Sequence, residues 1–113
     1  MAQEERSLVV HLAEAESRIP GPPGAHFVDV MQRGTARVLL SRPLNPNRQT
    51  PHEQDEVYVI VRGKGFLVHD GKRDAVGTGD LLFVAAGVEH RFEDFSDDLA
   101  VWVVFYGVNG GEC

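Results

Sequence analysis

From residue 26 onward the apolar residues of this chain fall into short runs. They occupy positions 27–31, 36–41, 57–62, 65–69, 74–76, 81–84, 90–92 and 99–106. Each run is too short for a stable helix, and most are rich in Val, Phe, Tyr or Trp, residues that suit a pleated, half-buried surface. Between the runs stand Arg33-Gly34, Asn45-Pro46-Asn47, Arg62-Gly63-Lys64-Gly65, Asp70-Gly71 and Gly77-Thr78-Gly79-Asp80. Asp70-Gly71 is the sharpest of these signals, because both residues tolerate the positive φ of a tight hairpin. About eight short strands at this spacing predict an all-β sandwich or small barrel.

The first 25 residues read differently. Residues 8–12 form an apolar run that suits an edge strand, and residues 13–19 have helix-favouring composition in a segment too short to stand alone. Pro20-Gly21-Pro22-Pro23-Gly24 then interrupts regular structure. The chain is therefore read as an N-terminal arm, residues 1–25, followed by a barrel, residues 26–113. The arm is expected to lie on the barrel or to add a strand to a partner's sheet edge, which predicts a homodimer.

At 113 residues the chain is long enough for one domain with a real core. A net charge of −6 lacks the basic footprint that phosphate backbones require, so nucleic acid is not an expected partner. No apolar run reaches the length of a membrane span. The single cysteine, Cys113, cannot form an internal disulfide, and the first residues are polar and unlike a secretion signal, so a cytoplasmic setting is expected.

The densest group of ligand-type side chains is Pro51-His52-Glu53-Gln54-Asp55-Glu56, which leads into Val57-Tyr58-Val59-Ile60-Val61. Taken alone it reads as a polar loop entering a strand. His52 and Glu56 share the four-residue spacing of helical zinc motifs, but the β-branched residues that follow oppose a helix. In a fully extended strand the two residues would lie about 13 Å apart. Ligands of one ion must approach within about 4 Å, so the chain must bend between them if both bind. A second candidate, His90, follows the turn Ala85-Ala86-Gly87 near a strand start.

Together these segments resemble the two short motifs of the cupin superfamily. In the first motif a Glu is followed, six residues on, by a Gly: here Glu56 and Gly63, with His52 four residues before the Glu. The second runs Gly79, five residues, Ala85, Ala86, Gly87, two residues, His90, three residues, Asp94, which keeps the spacing throughout. The resemblance covers roughly residues 36–106 and implies a double-stranded β-helix, or jelly-roll barrel. Departures are specific. Thr50 stands where the first motif carries another His, Leu44 replaces its opening Gly, and Ala85 and Asp94 replace the Pro and Asn of the second motif. The ligand set implied is His52, Glu56 and His90, with Gln54 as a weak fourth donor. Two imidazoles and a carboxylate suit divalent iron, manganese or zinc and leave positions open.

Strand parity places Tyr58 with Glu56 and Phe92 with His90, so both rings are expected to face the pocket, with Thr50 beside them. Glu53 and Asp55 are expected to orient the ligands from behind. One of Arg37, Arg42 and Arg48 is placed to reach the mouth and hold an anion; His26 and His11 lie outside both motifs, and His69 is expected in solvent. The implied function is a metal-dependent enzyme acting on a small molecule, of oxygenase or isomerase type. The alternative is a non-catalytic barrel that binds a sugar or a carboxylate.

Overall fold

A computed structural model describes residues 6–47 and 51–112. All eight expected strands form: β1 (Phe27–Arg33), β2 (Ala36–Ser41), β3 (Asp55–Arg62), β4 (Lys64–His69), β5 (Lys72–Gly77), β6 (Leu81–Val84), β7 (His90–Glu93) and β8 (Ala100–Tyr106). They build two antiparallel sheets, one ordered β1-β2-β8-β3-β6 and the other β5-β4-β7. The architecture is the all-β jelly roll expected from the sequence. Strands β3 and β5 start two residues earlier than their apolar runs, at Asp55 and Lys72. The reason differs in each case: Asp55 and Glu56 are buried polar residues with a task inside the fold, whereas Lys72 and Arg73 lie exposed on an edge strand.

Alternation along β3 sets the inside of the barrel. Glu56, Tyr58 and Ile60 are buried, and the intervening Val57 and Val59 are less so. Their row partners on β8 place Phe105 beside Glu56, Val103 beside Tyr58 and Val101 beside Ile60. Leu67 of β4 and Phe92 of β7 close the core from the smaller sheet.

The larger sheet also buries residues on its other face. Leu40 and Ala100 are fully buried there, opposite in parity to Leu39 and Val101. In the arm, α1 (Leu12–Ser17) buries Ala15 and touches β1. Glu16 forms a two-pronged ion pair with Arg62 of β3, and the Arg18 guanidinium donates to the Asp29 carbonyl at 2.8 Å. The arm thus rests on its own barrel. The edge strand expected over residues 8–12 does not form: residues 8–11 are irregular and Leu12 opens α1. A strand there needs a ladder partner, and Leu8 and Val9 remain exposed.

Gly65 shows how closely the two sheets' connections pack. A Cβ at this position would lie 2.5 Å from Phe95 Cβ and 2.8 Å from Phe95 Cα, a backbone atom that cannot swing away. Gly65→Ala is therefore expected to destabilise the fold by about 1–3 kcal/mol, read as a lower urea midpoint at unchanged slope.

Candidate metal centre

His52, Glu56 and His90 converge. Their ligand atoms lie within 4.8 Å of one another. His52 Nε2 is 3.4 Å from Glu56 Oε1, and His90 Nε2 is 3.0 Å from the same oxygen. The bend required between His52 and Glu56 is present, because residues 51–54 are irregular and β3 begins only at Asp55. The Gly87 amide donates to the His52 carbonyl at 2.8 Å, so the turn that precedes His90 also fixes the backbone of His52. Residues far apart in sequence are joined here by the backbone itself.

The His90 ring is held with Nε2 facing Glu56. His90 Nδ1 donates to the Val88 carbonyl at 2.9 Å, which orients the ring and leaves Nε2 directed at Glu56. Glu56 Oε1 and His90 Nε2 are close but not aligned for a hydrogen bond, and both are buried without a hydrogen-bond partner. Burying such atoms unsatisfied is costly, whereas atoms aimed at a common point suit a shared cation. The donor chemistry, two imidazoles and one carboxylate, fits a divalent ion. The rings pack closely: His52 lies 5.2 Å from His90 and 4.8 Å from Phe105, and Tyr58 lies 5.2 Å from Phe92, centroid to centroid.

The centre sits at one end of a cavity of about 400 Å³ in the barrel. Tyr58 and Phe92 line it, as do His52 and Glu56, while His90 is sealed behind them with 1% of its side chain exposed.

The matching family model is that of the Cupin domain, over residues 44–106. An uncharacterised protein of Streptomyces coelicolor is 44% identical over 95 residues, covering 83% of this chain and 90% of that protein. A protein of Coprinopsis cinerea named acireductone dioxygenase 1 is 33% identical over 86 residues, covering 71% of this chain; the chain spans 47% of that relative's length. The crystal structure of a Neisseria meningitidis protein superposes with a TM-score of 0.65 at 17% identity, covering 88% of this chain and all of that one, a likeness of fold. The chain belongs to the cupin family.

Within this cupin Gln54 and Asp55 both bond to backbone groups remote in sequence. The Gln54 side-chain nitrogen donates to the carbonyls of Thr35 and Gly107, both at 2.9 Å, and so ties the segment before β3 to two other segments. The bend that brings His52 to Glu56 also breaks the strand parity that would have aligned Gln54 with them. Asp55 accepts from the amides of Ala86 and Glu112, both at 2.9 Å, and clamps the turn before β7 and the C-terminal segment to the start of β3. These amides, Glu112 first and Ala86 second, hold the Asp55 carboxyl below its ordinary pKa. The Glu53 side chain is exposed, and its carbonyl accepts from Gly110. Thr50, Arg48 and Cys113 lie outside the described residues.

His69 is a quarter exposed and paired with Asp74 at 2.6 Å, not free in solvent. His26, which lies outside both motifs, lines the cavity together with Arg37 and Asn47. Asn47 Oδ1 accepts from the Phe92 amide at 2.9 Å and pins the loop after β2 against the pocket floor. Of these, Arg37 is one of the three arginines expected near the mouth; its place follows from the strand order.

The two imidazoles titrate in opposite directions. Burial is the main cause that lowers the pKa of His52, against the Glu56 carboxylate, which raises it. Burial also acts to lower that of His90, but Glu56 and the Val88 carbonyl outweigh it and the net shift is upward. In the metal-free protein the raised His90 therefore stabilises the fold below its unfolded pKa, and that contribution fades as pH rises through the folded value. The lowered His52 contributes in the opposite sense, with stability lost as pH falls. An ion on these residues would compete with a proton for His90 Nε2. Binding is expected to be tighter at about pH 8 than at about pH 6 and to release a proton near neutrality. Calorimetric titration in two buffers of different ionisation enthalpy reads that proton directly.

Proposed function

We propose that this cupin holds one divalent metal ion on His52, Glu56 and His90 and acts on a small molecule bound in the adjoining cavity. The observation that carries the reading is the convergence of Glu56 Oε1, His90 Nε2 and a His52 ring nitrogen within 4.8 Å of one another, the first two buried and without an aligned hydrogen bond. When bound, the ion would supply a Lewis acid with coordination positions left open by a three-ligand set.

The chain's own residues supply the rest. Val88 fixes the His90 ring, and Gly87 fixes the backbone of His52. Tyr58, Phe92 and Val103 line the cavity, and His90 is buried outside its lining. Of oxygenation and isomerisation, the first has the support of the relative named acireductone dioxygenase.

The test is elemental analysis of untagged protein, for the wild type and for His52→Ala and His90→Ala. Near-stoichiometric metal in the wild type, lost in both variants, is the expected result, with iron pointing to oxygenation and zinc or manganese to isomerisation. A wild type that takes up no iron, manganese or zinc after reconstitution would overturn the reading and leave a metal-free binding barrel.

A further inference from the structure

We infer that the cavity takes a small organic carboxylate, with Arg37 as the residue that receives the carboxylate group and the metal centre facing a second oxygen function of the same molecule. This deepens the metal reading above and rests on it for the second contact and for the neutralisation of Glu56.

Strand register supplies the first argument. Arg37 of β2 pairs with Phe105 of β8, and Phe105 pairs with Glu56 of β3. The three residues form one row across the inner face, with adjacent strands about 4.8 Å apart. The guanidinium carbon lies 5.8 Å from the centroid of Phe105, whose other neighbour is His52 at 4.8 Å. A single ring therefore separates Arg37 from the metal ligands.

Charge supplies the second. The chain carries 17 acidic and 11 basic side chains, yet Glu56 is the sole acidic residue among the described residues that line the cavity. It is committed to the ion. Asp29 occupies only the Nε edge of Arg37, at 2.8 Å, and the two terminal nitrogens make no hydrogen bond among the described residues. Those nitrogens match the two oxygens of a carboxylate.

Size and wall chemistry supply the third. A cavity of about 400 Å³ holds roughly a dozen non-hydrogen atoms, at about 30 Å³ for each water-sized group. Its other walls are largely apolar: Phe105 in the row of Arg37 and Glu56, and Leu39, Val103 and Val101 in the rows beside it. A hydrocarbon body with an anionic group at one end and an oxygen donor at the other satisfies all three.

The test is calorimetric titration of the zinc-loaded and metal-free full chain with levulinate and salicylate, each against its neutral amide, levulinamide and salicylamide. In the zinc-loaded wild type at least one acid is expected to bind roughly 10- to 100-fold tighter than its amide. Arg37→Gln is expected to remove most of that preference, and Arg37→Lys to keep part of it, with zinc content unchanged in both and folding checked by thermal melts. An acid-over-amide preference that is absent from the wild type, or equal in Arg37→Gln, overturns the inference while the metal reading stands. A wild type that takes up no zinc overturns the metal contact, and the metal-free comparison then decides the role of Arg37 by the same criteria.

Discussion

Glu56→Gln is expected to abolish high-affinity metal binding while leaving the fold in place. The amide keeps the volume of the carboxylate, which is 2% exposed, but removes the charge that both His52 and His90 approach. Loss of a ligand's hydrogen-bond partner alone weakens metal sites by roughly 10–100-fold, and loss of the shared ligand exceeds that. The clearest readout is thermal. An ion at about 1,000 times its Kd stabilises the wild type by about 4 kcal/mol, which for a domain of this size raises Tm by on the order of 10 °C or more. In Glu56→Gln the metal-induced shift is expected to vanish, with the metal-free midpoint near that of the wild type. A shift that survives would show that the ion binds elsewhere.

Phe92→Ala is expected to carry the largest cost to stability. The side chain is 2% exposed and lies in the middle of the core. It packs edge-on against Tyr58 at 5.2 Å and Phe95 at 6.5 Å, and its ring forms part of the cavity floor. Removing so large a buried ring typically costs about 3–5 kcal/mol. That is a substantial share of the roughly 5–15 kcal/mol that holds a small domain together. Urea unfolding measures it. A loss below about 1 kcal/mol would mean that the pocket collapses around the missing ring and that the floor is not the rigid wall described above.

The strands were readable because their information is local. Alternation of apolar and polar residues needs only the neighbouring sequence, and the dipeptides Asp70-Gly71 and Arg33-Gly34 mark reversals that form where they stand, with positive φ at Asp70, Gly71 and Gly34. The three candidate ligands were legible only through the resemblance to the two cupin motifs, which Gly63 and Gly87, both at positive φ, punctuate. What was not legible shares a cause. Asp55 finds its partners at Ala86 and Glu112, and Gln54 finds its own at Thr35 and Gly107. Neither pairing leaves a trace within a few residues. Arg37 reaches the cavity because β2 lies next to β8, a neighbour remote in sequence. The arm went wrong at residues 8–11 for the complementary reason: apolar composition suits a strand, but a strand also needs an edge to pair with.

The central claim is that one ion sits on two imidazoles and a carboxylate inside the barrel. X-ray absorption at the metal edge of the reconstituted, untagged protein tests it most directly. The expected spectrum shows two imidazole ligands and oxygen donors at about 2.0–2.2 Å, with an imidazole signature that falls in His90→Ala. A spectrum of oxygen ligands alone, unchanged in that variant, would place the ion among surface carboxylates and contradict the proposal.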